Sequence, residues 1–494
     1  MDQTAPGSNY QPPWMEVNPV GQTPPVSSPQ QAAQPDVTTD IQVPPAAPTT
    51  TEPPPQVPDP PLTQIPPFKK IIPFVLVAVA ILILAFVIRT IVSQKSSNVQ
   101  SGSKTTGKQI TLTYWGLWEN QEVIAPLISD YKKQNPNITV NYVFQSAKDY
   151  RERLQSSLAS GKGPDIFRIH NTWVPMFKSQ ISQVPEGLVD WTDYYPATDD
   201  LKISNKYYAI PLGFDTLALY YNVDLFSQKG VKPPTDWIDL RDTAIALRSP
   251  ASGPIDIGGI ALGTTSNVDN WSDILGLMFM QNGVDLANPT GKFAEETLKF
   301  YTMFSQTHHV WDASLPSSVY SFATGKVAMI IAPSWRVFEI KEINPKLNFA
   351  TAPVPQLPGA KVAWATYWAE TVSQTSANQV AAWDFLKFLS QPENLKKLYT
   401  YESQTRLFGE PYPKKSMAQN LTGDPLVGAF INQAAYAKSW YLCSRTHDNG
   451  INDRMIKYFE DAVNGVIQGK SATEALSQTA AGVSQIITQY QISK

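Results

Sequence analysis

Two kinds of apolar patterning divide this chain. Ile71 to Ile88 is an unbroken apolar run with no charge and one proline, whereas from Gln109 onward apolar positions recur with strand-like and helix-like periods in alternation. The β-rich run Ile110–Trp115 precedes Glu119–Gln134, where Val123, Ile124, Leu127, Ile128 and Tyr131 form a helical stripe. Ile138–Phe144 then reads as a strand, Tyr150–Ala159 as a helix and Pro164–Ile169 as a short strand. This β–α–β–α–β order predicts an α/β domain whose mostly parallel sheet is covered on both faces. Such sheets bind ligands beyond the carboxyl ends of their strands, here the segments after Trp115 and after Ile169. Trp115, Trp118 and Glu119 lie in the first of these segments, and His170, Asn171 and Trp173 in the second.

The run Ile71–Ile88 extends about 27 Å as a helix, and continuing it through Arg89 to Val92 spans a ~30 Å hydrocarbon core. One transmembrane helix over residues 69–93 is therefore expected. The run starts too far from the N-terminus, and is too long, for a cleavable signal peptide, and polar Gln94–Ser97 follows it. Residues 1–68 hold 19 of the 42 prolines, six acidic residues and no Lys or Arg, a composition that predicts a disordered tail. Residues 94–108 read as a flexible stalk. Flanking charge leaves orientation undecided, because Lys69 and Lys70 stand on one side and Arg89, Lys95, Lys104 and Lys108 on the other.

The net charge of −3 comes with an acidic tail, so the remainder is slightly basic without a basic stripe, and nucleic acid is not an expected partner. A single cysteine, Cys443, excludes an intramolecular disulfide and an N-terminal lipid anchor, and reads as a small buried residue. The chain lacks a G-x-S-x-G elbow, an H-E-x-x-H helix, a phosphate-cradling loop and a Cys–His arrangement, so no motif demands catalysis.

Four motifs carry more specific information. They are Gly163–Ile166, Pro211–Phe226 leading to Val231–Trp237, Phe322–Met329, and Trp335 downstream. In this order they resemble the extracellular solute-binding proteins of carbohydrate ABC transporters, the maltose-binding-like family. The resemblance implies a two-lobed periplasmic-binding-protein-like fold with hinge strands, over residues 109–494. It places lobe one at about 109–213 and 347–375, and lobe two at about 214–346 and 376–494, with Asn348–Pro355 as the strand returning to lobe one.

The family implies a non-enzymatic saccharide binder with no cofactor and no metal, docking on an ABC permease with a separate ATPase, its body outside the membrane. By position, the resemblance nominates Trp118, Glu119, Asn171, Trp173, Asp215, Trp271, Trp335, Trp364, Trp368 and Asn452 as ligand-binding residues, with Tyr367, Arg406 and Tyr441 behind them. Sugars offer apolar C–H faces and rings of hydroxyls, which suit aromatic platforms and paired polar groups. Tyr220 and Tyr221 point to opposite faces of a strand, one of them into the core. Iron binding through the tyrosine pairs does not fit their places in the chain. The same fold could also serve a tethered ligand sensor, and Glu119 with Asp215 could form a glycosidase pair.

Overall fold

The computed structural model describes residues 108–492. The expected tail, transmembrane helix and most of the stalk lie outside these residues. Among the described residues no helix is long and apolar enough to cross a membrane.

Lobe one is built on a four-stranded sheet whose order is Trp368–Val372, Ile166–His170, Ile110–Leu117, Ile138–Gln145. The last three strands run parallel, with Ile110 opposite Ile138 and Tyr114 opposite Ile166. Trp368–Val372 is antiparallel and sets Trp368 opposite His170. The helical stripe acts as expected: Gln121–Gln134 buries Val123, Ile124, Leu127 and Tyr131. That helix starts at Asn120, whose side chain accepts from the Val123 N–H at 3.2 Å and so satisfies one of the open donors of the first turn.

Lobe two holds a second four-stranded sheet, in the order Gly258–Ile260, Val327–Pro333, Leu217–Asn222, Phe349–Ala352. Leu217–Asn222 is antiparallel to both of its neighbours. Ile166–His170 in lobe one and Val327–Pro333 in lobe two are buried along their whole length, as central strands covered on both faces must be. Tyr220 is buried and donates to the Pro333 carbonyl at 2.6 Å, while Tyr221 is only partly covered. Cys443 is free and buried.

Two lobe assignments need correction. Phe349–Ala352, expected as the strand returning to lobe one, pairs with Leu217–Asn222, so it closes the edge of the second sheet. Helices Gln379–Leu389 and Pro392–Thr405, expected in lobe two, belong to the core of lobe one. There Phe385 lies 4.9 Å from the Tyr131 ring, and the Tyr131 hydroxyl donates to Asp384 at 2.8 Å. Both errors have one cause: sequence order shows that elements follow one another but not which sheet edge or helix groove receives them.

The chain passes between lobes at residues 211–216, 353–367 and 422–427. The Thr216–Ala365 bridge joins the first two crossings side by side, and Ile210–Glu370 continues that pairing at their lobe-one end. Gly213 sits in the first crossing where a β-carbon would come within 2.8 Å of the Glu410 side chain, so only glycine permits this approach.

Candidate functional site

The carboxyl edge of the first sheet carries an aromatic cluster. Directly after Ile110–Leu117, Trp118 has a left-handed backbone with φ of 64°, a conformation a bulky L-residue adopts only when its surroundings impose it. Its ring meets Trp368 edge to face at 4.8 Å. Trp368 in turn contacts Trp173 at 5.0 Å and His170 at 5.2 Å. Trp118 and Trp368 remain partly open, while Trp173 is enclosed beneath them. His170 is fixed by the Thr172 hydroxyl at 2.8 Å and the Thr366 hydroxyl at 3.1 Å. Burial pushes its pKa down to about 3, so the ring is neutral at physiological pH.

Under the tryptophans lies a buried ion triad. Arg168, the one charged side chain of its strand, donates from Nε to Glu370 at 2.6 Å and from Nη1 to Glu119 at 2.7 Å and to the Leu117 carbonyl at 3.0 Å. Its guanidinium also stands 5.8 Å from the Trp118 ring centroid. Burial raises the Glu370 carboxyl above its ordinary range, with Arg168 opposing the shift. Glu119, expected as a direct ligand contact, is thus engaged in fixing the loop that carries Trp118.

The facing edge of the second sheet starts at Leu217 and ends at Pro333, neighbours in the antiparallel register. Asp215 clamps this edge: one carboxylate oxygen accepts from the Ser334 N–H and hydroxyl, both at 2.9 Å, and the other accepts from the Thr216 N–H at 2.8 Å. Burial, and then Glu410 nearby, hold its pKa well above the usual carboxylate value, against these donors. Asp215 is therefore a positioning residue for Trp335, which follows Ser334. The Trp335 ring is partly open and lies 4.1 Å from the Arg336 guanidinium.

A cavity of ≈ 660 Å³ opens between the lobes. Trp118, Glu119 and Asn120 line it from one side of lobe one and residues 402–407 from another, while Phe338, Lys341 and Glu342 of helix Arg336–Ile343 line it from lobe two. Arg406 holds two carboxylates, Glu402 at 3.1 Å and Glu410 at 3.0 Å, and its guanidinium lies 5.2 Å from the Phe338 ring across the interlobe boundary.

Of the expected ligand residues, the structure brings Trp118, Glu119 and Arg406 to this cavity and sets Trp335 immediately before the helix that closes it. Others turn out to be internal. Trp364 is fully buried and donates to Asp273 at 3.1 Å, and Trp271 packs into the same core. Asn171 is buried and donates to the Ser439 hydroxyl at 2.9 Å. Asn452, equally buried, donates to Thr172 at 2.7 Å and to Asp448 at 2.9 Å. Both asparagines fasten the loop after His170 to residues 439–452 and have no free face. Arg168, Glu370 and Glu402 were missed, although an arginine inside the apolar Ile166–His170 is a legible sign of a buried partner. Among the described residues no cluster of His, Cys, Asp or Glu could hold a metal ion.

Residues 118–396 match the family of bacterial extracellular solute-binding proteins. The chain belongs to that family. It is 23% identical over 311 residues to the maltotriose-binding protein of Pyrococcus abyssi, covering 57% of this chain and 64% of that one. To the multiple sugar-binding protein of Streptococcus mutans it is 21% identical over 369 residues, covering 69% and 85% respectively. The sugar-binding protein MalE from Xanthomonas citri superposes with a TM-score of 0.64 at 24% identity, over 77% of this chain and 98% of that structure, which establishes the two-lobed fold.

Proposed function

We propose that this protein is the solute-capturing component of a carbohydrate ABC importer, closing its lobes on a sugar or oligosaccharide. The observation that carries the reading is an interlobe cavity walled by the partly open Trp118, itself packed on Trp368, from lobe one and by helix Arg336–Ile343, which directly follows Trp335, from lobe two. Flat rings of this kind match the C–H faces of pyranoses, and Asn120, Gln404 and Arg406 supply polar groups on the cavity wall. The sugar-binding relatives favour the same ligand class. Closure follows from a ligand's preference for the state in which both lobes touch it.

From the uncharged apolar run 71–88 we further propose that residues 69–93 tether the protein to a membrane, with the body outside. Delivery is to a permease driven by an ATPase on separate polypeptides, since this chain has no phosphate-cradling loop. The hydrogen-bonded state of Glu119 and Asp215 speaks against a glycosidase pair.

The test is to incubate the purified full-length chain with a panel of oligosaccharides, following melting temperature and product formation together. A ligand at a hundred times its Kd should stabilise the fold by about 2.7 kcal/mol, without turnover. Cleavage products, or no shift with any saccharide, would overturn the reading. Protease treatment of intact cells tests the topology: the body should be cut and the tail protected.

A further inference from the structure

The interlobe cavity has an excess of carboxylates over the cations that hold them. Arg168 serves Glu119 and Glu370, Arg406 serves Glu402 and Glu410, and helix Arg336–Ile343 adds one acid, Glu342, and one base, Lys341. Lys341 turns away to the Leu347 carbonyl at 2.9 Å. Acidic groups alone would not make a site, but Glu402 adds an independent sign. This cavity-lining side chain is 2% exposed, and its Oε2 accepts from the Glu410 N–H at 2.6 Å and faces Arg406. Its Oε1 has no hydrogen-bond partner. A buried carboxyl oxygen without a donor is costly, and a ligand that brings a donor, above all a charged one, relieves that cost.

We propose that the cavity prefers a saccharide bearing a protonated amine, which sets its ammonium against Glu402; this rests on the saccharide-capture reading. Around Glu402 stand Arg406, Glu410 and Glu119, with the phenols of Tyr399 and Tyr412 beside it and Lys341 and Glu342 across the cavity. Burial raises the Glu402 carboxyl above its ordinary range against the pull of Arg406, and Glu119 and Glu410 raise it further. A proton held on Glu402 before binding would pass to solvent as the ammonium binds, so the buffer dependence of the heat reads whether capture of the amine is linked to proton release.

The experiment is calorimetric titration of the full-length chain at pH 7 with maltose and cellobiose, and with the glucosamine disaccharides of the same two linkages. Each amine should bind about tenfold more tightly than its neutral counterpart, the scale of one hydrogen bond to a charged group. Its heat should differ between phosphate and Tris buffers in the sense of proton release. In Glu402→Gln the ratio of amine to neutral affinity should fall towards one; if that variant does not fold, the wild-type ratio and the buffer dependence decide. Neutral disaccharides binding as tightly as the amines would overturn this inference and leave saccharide capture standing. Binding of neither kind would overturn this inference, while saccharide capture falls only if the full oligosaccharide panel also fails to bind.

Discussion

Replacing Arg168 by methionine tests the electrostatic base of the site most directly. The substitution keeps a long side chain in a fully buried strand but removes the cation shared by Glu119 at 2.7 Å and Glu370 at 2.6 Å, and strips a donor from the Leu117 carbonyl. Losing one partner of a buried ion pair costs about 3–5 kcal/mol, and two stranded carboxylates put this variant at the upper end. That is a large part of the ~5–15 kcal/mol that holds a typical domain together. The cost also depends on pH. Arg168 is what pulls the Glu370 carboxyl down against burial, so without it that pKa rises further and the folded chain keeps a proton that the unfolded chain gives up above its ordinary Glu pKa of about 4.3. Stability should therefore fall as pH rises, and the deficit should be smaller at pH 5 than at pH 7. Urea unfolding followed by tryptophan emission at both pH values measures this. Adding Glu119→Gln and Glu370→Gln should restore more than half of the loss. A deficit below about 1 kcal/mol, or a triple variant no more stable than Arg168→Met, would refute the reasoning.

Two further outcomes follow from neighbouring residues. Asp215→Asn turns a donor towards Ser334 or Thr216, and should lower stability by about 1–3 kcal/mol while weakening saccharide affinity through Trp335; Trp335→Ala should weaken affinity alone, and unchanged titrations in both would remove Trp335 from the site. His170, with its pKa pushed down to about 3, refuses a proton that the unfolded chain accepts below about 6.5, so stability should fall between those values on acidification. His170→Gln should flatten that slope in a series of urea midpoints, and an unaltered slope would show that His170 is not its source.

The local elements were legible because each depends on period and neighbours. Tyr150–Ala159 begins and ends where its pattern predicts, and the first two strands differ from expectation only at their ends. Partition between lobes was less legible, since Phe349–Ala352 carries no sign of which sheet receives it. Position along the chain nominated tryptophans but could not tell an open ring from an enclosed one. Trp364 and Trp368 are four residues apart, yet the first donates to Asp273 inside lobe two and the second lies partly open at the edge of lobe one. Glu119 and Asp215, nominated by their position in the family, turn out to fix their neighbours, because their partners Arg168 and Ser334 lie far along the chain.

The stitched crossings also decide how the lobes can move. Bridges Ile210–Glu370 and Thr216–Ala365 bind two crossings into one ribbon, and the Phe214 N–H donates at 2.8 Å to Pro411 on the segment leading to the third. Swivelling one lobe about the long axis would stretch these bonds on one side and compress them on the other, while folding about the line through them leaves their lengths unchanged. The joint should therefore turn about one axis, like a pin rather than a ball. Spin labels on the two lobes should then move between two distances along one arc on adding ligand, and a broad spread of distances would refute this.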